Sequence, residues 1–475
     1  MARMPLGGTA KDYDSKKSRA TVINLIPEGD KGDYRTVRRA DGLTSFATLP
    51  LGPCRSDLLV NGGFIYVVGG STLYQVESDG TVNTIGVVGG TGRCKMAANA
   101  IPGDSQILIL NGSGGGFIYS VVTGFVSITD PDFFSSSSVT VLNERFWLTR
   151  DDTAEFFGSD ISDGTSYDAL TFASAEESPD TAEAVISKKS ALWILGAEHS
   201  EYWQSITDTT LPLRKVQGAS KEWGILVRDT LAEVNESFAF LADDRTIRLA
   251  QGSQLTKISD LEFDLKVKGN GTPTYPGFTT IDDAYAFLVD GPVHSIYYIT
   301  FPTEGYTWGF DLNSGLSHRR ESEGLGYWRV NGAKKFGAKI ICSDGIDGKL
   351  WTLDPSSRTE NGEILRTTLR TPAMSWDKNV TIPLIEIDME VAQTTDATLD
   401  PDQEPKMIVR YTKDGINYKT KEYISLGNFG EHSKRVPLRS FGRVVRNKDF
   451  ALELIVTAPV GVQYYGAHIY PEVSI

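Results

Sequence analysis

The feature that most limits the fold is a recurring strand–turn–strand unit. An apolar β-type run, a Gly- or Asp-rich turn and a second strand with aromatic or branched residues return seven times. They are GFIYVVGGSTLYQV (63–76), QILILNGSGGGFIYSV (106–121), ERFWLTRDDTAEFFGS (144–159), SALWILGAEHSEYWQS (190–205), ESFAFLADDRTIRLA (236–250), AYAFLVDGPVHSIYYITF (284–301) and KIICSDGIDGKLWTLD (339–354). With Ile65, Ile109, Trp147, Trp193, Phe240, Phe287 and Ile341 taken as equivalent, the period is about 40–50 residues, that of a four-stranded propeller blade. The turns GG, GSGGG, RDD, GAEH, ADD, VDGP and DGIDG supply residues that accept positive φ or cap a turn with a carboxylate. One such unit cannot bury its apolar face alone. A ring of them can, and it leaves only short edges. The reading is all-β: a β-propeller of six or seven blades over residues 46–357, with the ring open to closure by strands from both ends.

The flanks differ from the repeats. Residues 1–45 read as a polar arm with one apolar island, TVINLIP (21–27), of a kind ordered only against something else. After the polar linker PSSRTENGE (355–363) come new alternating runs: IPLIEIDMEV (382–391), KMIVRYTKDGINY (406–418), RVVRNKDFALELIVTA (443–458) and GVQYYGAHIYPEV (461–473). Asp414-Gly415 marks a hairpin, and TTDATLDPDQEP (394–405) an acidic loop. Residues 358–475 are expected to form an antiparallel β-sandwich. In a chain of 475 residues with 47 Gly and no long helical pattern, both parts fit.

Composition removes several functions. The formal net charge of −14 opposes wrapping of nucleic acid. Cys54, Cys94 and Cys342 lie far apart with no CxxC, which argues against a zinc or redox site and for buried free thiols in a reducing compartment. No apolar leader and no run of 18 apolar residues is seen, so the expectation is synthesis in the cytoplasm without membrane insertion.

Catalytic candidates resolve into scaffold. In KKSALWILGAEHSEYWQSITDTTLPLRKVQG (188–218), Ala191 to Gly196 reads as a buried strand, with Trp193 and Trp203 as packing aromatics and His199 in an exposed turn. A base needs a nucleophile or substrate proton within reach, and a rim turn seldom supplies one. His294, His318, His432 and His468 are scattered singly. SDGIDGKLW resembles the box hairpin of sialidase-type propellers through Ser343, Asp347, Gly348 and Trp351, with the spacing off by one; such boxes stabilise turns away from the active site. GGTGRCK (89–95) lacks the full phosphate-loop pattern and a following helix. Asp151-Asp152 and Asp243-Asp244 could hold a cation but more often cap hairpin turns. No catalytic, cofactor or metal residue is assigned.

One charge cluster remains. SKRVPLRSFGRVVRNK (433–448) carries Lys434, Arg435, Arg439, Arg443, Arg446 and Lys448 and no acid. It reads as a solvated face, or as an interface for an acidic neighbour that could be another copy of this acidic chain. Direct DNA binding ranks third, because one short basic patch gives weak, salt-sensitive affinity.

These stretches carry a family resemblance. YTKDGINY, KRVPLRSFGRVVR and ALELIVTAPV in the C-terminal part resemble the end of the packaged-DNA stabilisation (tail hub or nozzle) proteins of short-tailed bacteriophages. SALWILGAEHSEYWQSITDTTLPLRKVQGASKEWGI (190–225), INLIPE (23–28) and DGLTSFATLP (41–50) resemble its middle and opening. The resemblance implies a structural virion protein of the tail, assembled in the host cytoplasm as a homo-hexamer below the portal and its head–tail adaptor ring. It implies a part that closes the DNA exit channel, carries a needle or plug, offers surfaces to tailspikes or fibres, and lets double-stranded DNA pass without sequence preference. It implies neither an enzyme nor a cofactor. The alternative is a carbohydrate-binding β-propeller, either a receptor-binding or a glycan-hydrolase protein; that reading expects a series of intact boxes, and one imperfect box is present.

Overall fold

The computed structural model describes residues 2–4, 20–30, 33–175, 180–207, 211–273, 275–393, 404–427 and 434–473. Among the described residues seven four-stranded antiparallel blades form a propeller, five as separate sheets and two as parts of larger sheets. Their first strands begin at Leu59, Lys95, Val139, Ala182, Ala232, Tyr285 and Val330, and these line the centre, with the last beside the first. Blade 7 takes three strands from Val330–Phe336, Lys339–Asp344 and Lys349–Asp354. Its fourth strand is Gly42–Thr48 from the other end of the chain, paired as Leu353↔Leu43 and Lys349↔Thr48. The ring is thus closed by strands from both ends.

Second strands are buried along most of their length, Ala191–Gly196 at every position, because blades cover both faces. Aromatics interleave from blade to blade. Phe156 meets Trp203 at 5.1 Å between ring centroids, Trp193 meets Phe238 at 5.5 Å, and Tyr298 meets Trp328 at 4.9 Å. Such pairs add about 0.5–1.5 kcal/mol each beyond area burial.

The period reading slips in blade 6. Phe287 lies on the first strand, and the second-strand counterpart is Tyr298, its partner in register. Both strands are apolar, so period alone cannot separate them. The displacement comes from an insertion holding the helix Leu261–Val267, whose first turn Asp260 caps by accepting from the Phe263 N–H.

The sandwich has two sheets around one core that includes Ile385, Ile387, Val409, Leu438, Leu454 and Ile469. One sheet runs in the order Leu25–Asp30, Asp33–Arg39, Gly461–Val473, Val380–Gln393, Lys434–Val444. The other runs Thr21–Ile23, Thr367–Arg370, Ala451–Val456, Lys406–Thr412, Lys419–Ser425, and it continues blade 6 through the parallel pair Ile23↔Arg319. The Asp414-Gly415 hairpin is present, with the Asp414 carboxylate accepting from the Ile416 and Asn417 N–H groups at 2.9 and 2.8 Å. The 394–403 part of the acidic loop lies outside the described residues.

The expected separate arm is a correction. Its described strands pair within the chain: Ala2–Met4, Thr21–Ile23, Leu25–Asp30 and Asp33–Arg39 belong to the sandwich, and Gly42–Thr48 belongs to blade 7. The segment looked polar because alternate residues of an outer sheet face water. Val22, Leu25 and Val37 face the sandwich core, and Ile26, on the other face of its strand, is buried against blades 6 and 7.

Candidate docking surface

The basic cluster lies on the sandwich edge strand Lys434–Val444 and the turn after it. Val436, Leu438, Phe441 and Val444 point into the core, while Pro437, Arg439, Arg443, Val445, Arg446 and Lys448 are exposed. The break in alternation has a cause on the neighbouring strand. Pro383 has no N–H to give the ladder. Register passes from Leu384↔Arg439 to Ile382↔Gly442, leaving Ser440 and Phe441 opposite Pro383. Ser440 takes up the extra residue at φ 64. The bulge turns Phe441 inward and leaves Arg439 and Arg443 outward. Lys413 adds a cation nearby, donating to the Arg443 carbonyl at 2.9 Å. Lys434 and Arg435 stand opposite Met389 and Asp388 in backbone register. Among the described residues no carboxylate pairs with Arg439, Arg443, Arg446 or Lys448. Charge on an edge strand also guards it against pairing with stray strands.

The polar residues of the 188–218 stretch are locked in structural contacts. Glu201 is buried, accepts from Trp203 Nε1 at 2.9 Å and pairs with Lys215 at 2.8 Å. His199 is half-buried rather than exposed, because Asp180 folds over the turn and accepts the His199 and Glu198 N–H groups. The cavity beside them is about 10 Å³, room for about one water and no substrate. His318 is buried against the Tyr298 hydroxyl at 2.9 Å, and His294 is held by Asp311 at 2.9 Å. His432 lies outside the described residues.

The GGTGRCK segment has the wrong polarity for a phosphate. The Arg55 guanidinium collects the carbonyls of Gly70, Gly89, Gly92 and Asn111, so oxygens rather than N–H groups converge there. Asp244 caps its own turn through Thr246 and pairs with Arg248 at 3.0 Å. Among the described residues no His, Cys, Asp and Glu grouping could hold a metal ion. Among the described residues no helix is long and apolar enough to cross a membrane.

The sequence reading missed one residue, Asp344. In the box-like hairpin this fully buried carboxylate does the work assigned to Asp347. It accepts from the Ile346 N–H (2.8 Å), Trp351 Nε1 (2.8 Å) and Arg329 Nε (2.6 Å). Burial pushes this carboxyl above the usual carboxylate range. The one-residue mismatch in the spacing was the signal.

Along the propeller axis the first strands enclose a cavity of about 490 Å³. Its charges are paired across blades: Lys95 with Asp229 at 2.9 Å and Arg228 with Glu183 at 2.9 Å. Asp229 is held below its ordinary range despite burial, by Lys95 and then Arg93.

The geometry defines a class of protein: a β-propeller joined to an antiparallel β-sandwich, with a charged edge on the sandwich. The chain matches the family described as bacteriophage P22 Gp10, beta-propeller, over residues 7–358, and P22 Gp10, beta-sandwich, over residues 366–469. It is 23% identical over 417 residues to the tail hub protein gp10 of Salmonella phage P22, covering 83% of each chain. Solved structures with a partial likeness include virginiamycin B lyase from Staphylococcus aureus, at 9% identity, TM-score 0.45, 66% of this chain and 98% of that one. Another is the Pan2 WD40 domain of Neurospora crassa, at 9% identity, TM-score 0.42, 66% and 96%. The chain belongs to the bacteriophage P22 Gp10 family; it is a phage structural protein and not an enzyme.

Proposed function

We propose that the chain is a tail hub. Copies assemble as a homo-hexamer in the virion tail, dock under the portal–adaptor complex, close the DNA exit channel after packaging, and present surfaces to a needle or plug and to tailspikes or fibres. The observation that carries this reading is the two-part family match, propeller then sandwich, in one chain that aligns along most of the P22 tail hub protein. The basic edge Arg439, Arg443, Arg446 and Lys448 supports docking on an acidic neighbour. A propeller cavity of about 490 Å³ is the size of a small-molecule pocket. Duplex DNA therefore passes along an axis between copies and not through a propeller, and an acidic average charge lets it slide without sticking.

The test is co-sedimentation of the purified chain with DNA-filled heads that lack a tail. A hexameric complement per head and a genome newly protected from nuclease are expected. Heads that take up none of the chain, together with a free chain retained on a polysaccharide, would overturn the hub in favour of a receptor-binding propeller.

A further inference from the structure

Blade 3 carries an acidic, apolar protrusion at the opposite end of the molecule from the basic edge. Of the ten acids between residues 151 and 187, Asp160, Asp163 and Asp168 stand on this blade's rim, while Glu155 pairs with Arg150 and Glu183 with Arg228. The outer strand Asp163–Ser174 runs down the rim of this blade. Register passes from Ser159↔Tyr167 to Phe157↔Phe172, so residues 168–171 stand opposite Gly158 and bulge outward. The bulge exposes Asp168 and Leu170, the latter 65% exposed, and Phe172 beside it is 46% exposed. Among the described residues no cation pairs with Asp160, Asp163 or Asp168. Each carboxylate accepts from its own turn, from Ser166, Thr165 and Leu170, and carries its charge without a counter-ion among the described residues; an exposed apolar knob on such a rim marks an interaction surface.

The basic edge has the matching make-up, with exposed Val445 and Pro437 among Arg439, Arg443, Arg446 and Lys448. Position excludes closure of one patch on the other within a chain. The sandwich joins the ring at blade 6, through Ile23↔Arg319, and the chain reaches it from blade 7 by the connection that holds Thr359–Glu360, paired as Glu360↔Leu43. In a seven-membered ring, blade 3 lies three blades from each. Within the sandwich, Lys434–Val444 is the strand farthest from Leu25–Asp30, the one that lies beside blade 6. Two complementary patches at opposite poles can meet only between copies.

We infer that the blade 3 rim of one copy docks on the basic sandwich edge of the next, in a head-to-tail contact. Such a contact uses different surfaces on each side, so it propagates and closes into a ring when the rotation allows. This rests on the reading that the chain works as a ring of copies, and it names the contact that makes the ring.

The test mixes two full-length variants, Asp168→Cys and Arg439→Cys, with a short bis-maleimide linker at low salt; trapping detects the contact even where association is weak. Cys54, Cys94 and Cys342 are buried, so background is low. The expected result is a linked pair of copies with a yield on the order of tenfold above a control that replaces Asp168→Cys by Glu236→Cys, which is exposed on blade 5; the yield falls with added salt. Leu170→Cys serves as a second probe of the same rim. In the Arg439→Cys chain, Arg443→Glu together with Arg446→Glu abolishes linking to the rim variant, and Asp160→Arg with Asp163→Arg on the rim restores it. Equal yields from the rim and the control, absence of a linked pair with either rim probe, or charge reversal without effect overturns the contact. Uptake of the chain by tail-less heads in that case leaves the hub standing, so the two readings fail separately.

Discussion

Replacing Asp344 separates the structural account of blade 7 from the sequence account. Asp344→Ala strands the Arg329 guanidinium, the Trp351 indole N–H and the Ile346 N–H around the buried 344 position. Breaking a buried ion pair costs about 3–5 kcal/mol, and an orphaned buried donor about 1–3 kcal/mol. Two effects reduce the sum. Arg329 keeps a contact to Asp347 at 3.3 Å, and burial already penalises the Asp344 charge. The net loss is about 3 kcal/mol. Asp344→Asn does not rescue, because whichever way the amide turns, its NH2 faces donors. Asp347→Ala removes a 40% exposed carboxylate and costs about 1 kcal/mol or less. With two domains, one global unfolding energy is poorly defined, so the assay is native-state hydrogen exchange. The turn braces the closing strand, since Leu49 N–H bonds to Gly348 O and Cys54 N–H to Asp344 O. Amides of Gly42–Thr48 and Lys349–Asp354 should exchange about a hundredfold faster in Asp344→Ala, with the sandwich strand Val380–Gln393 unchanged. An Asp347→Ala variant that loses as much protection, or an Asp344→Ala variant that loses less than about 1 kcal/mol, would refute the reasoning.

Three further outcomes are expected. Burial, then the Arg320 charge, pulls the His318 imidazole down to about 3 from its ordinary 6.5. The unfolded chain therefore binds a proton that the folded chain refuses, and stability is complete above about pH 6.5 and is lost as pH falls toward 3, by about 1.4 kcal/mol per unit; His318→Gln should flatten that slope in urea titrations run from pH 7 to 4. Arg39 donates to the carbonyls of Ala458, Val460 and Leu365, while burial drags its guanidinium down to about 9. Arg39→Met should lower stability by about 2–4 kcal/mol, the lost bonds outweighing the relieved desolvation, read as a lower thermal midpoint of the sandwich transition. Burial pushes the Cys54, Cys94 and Cys342 thiols up to about 12, 11 and 12, so a thiol reagent at neutral pH should modify none of them until denaturant is added.

The propeller was legible because a blade repeats its apolar strands at a fixed spacing, and the sandwich because its strands alternate. Gly461–Val473 is the strand that GVQYYGAHIYPEV predicts, and Ala191–Gly196 the one that ALWILG predicts. What escaped depends on partners distant in sequence. Nothing local shows that Phe287 belongs to a first strand, since the strand after it is as apolar. Asp344 and Asp347 both suit a turn, and only the arrival of Arg329 and Trp351 decides between them. The basic cluster was readable as composition, whereas its outward aim follows from a bulge set by Pro383 on another strand. The sequence analysis did not single out Asp160, Asp163 and Asp168, because their place on one rim opposite the sandwich emerges only once the ring has seven members and closes through Gly42–Thr48.

The N-terminal segment shows why the two halves act as one body. Within about 30 residues it supplies a strand that continues blade 6 into the sandwich, two strands of the opposite sandwich sheet, and the strand that closes blade 7. Asn24, in the left-handed region at φ 53, sits at the junction: its side chain donates to the Glu321 and Arg366 carbonyls and accepts from the Glu321 N–H. Arg320 donates to the Asp41 carbonyl from the blade 6 side. Hinge motion at the 358–366 connection would have to break these bonds together with the Ile23↔Arg319 pairing, so the sandwich keeps its orientation on the ring. That rigidity is what a head-to-tail contact requires. A basic edge on a swinging domain would meet acidic rims at many angles and propagate irregularly, whereas two poles held at a fixed angle specify one rotation per copy, and a fixed rotation is what closes a ring.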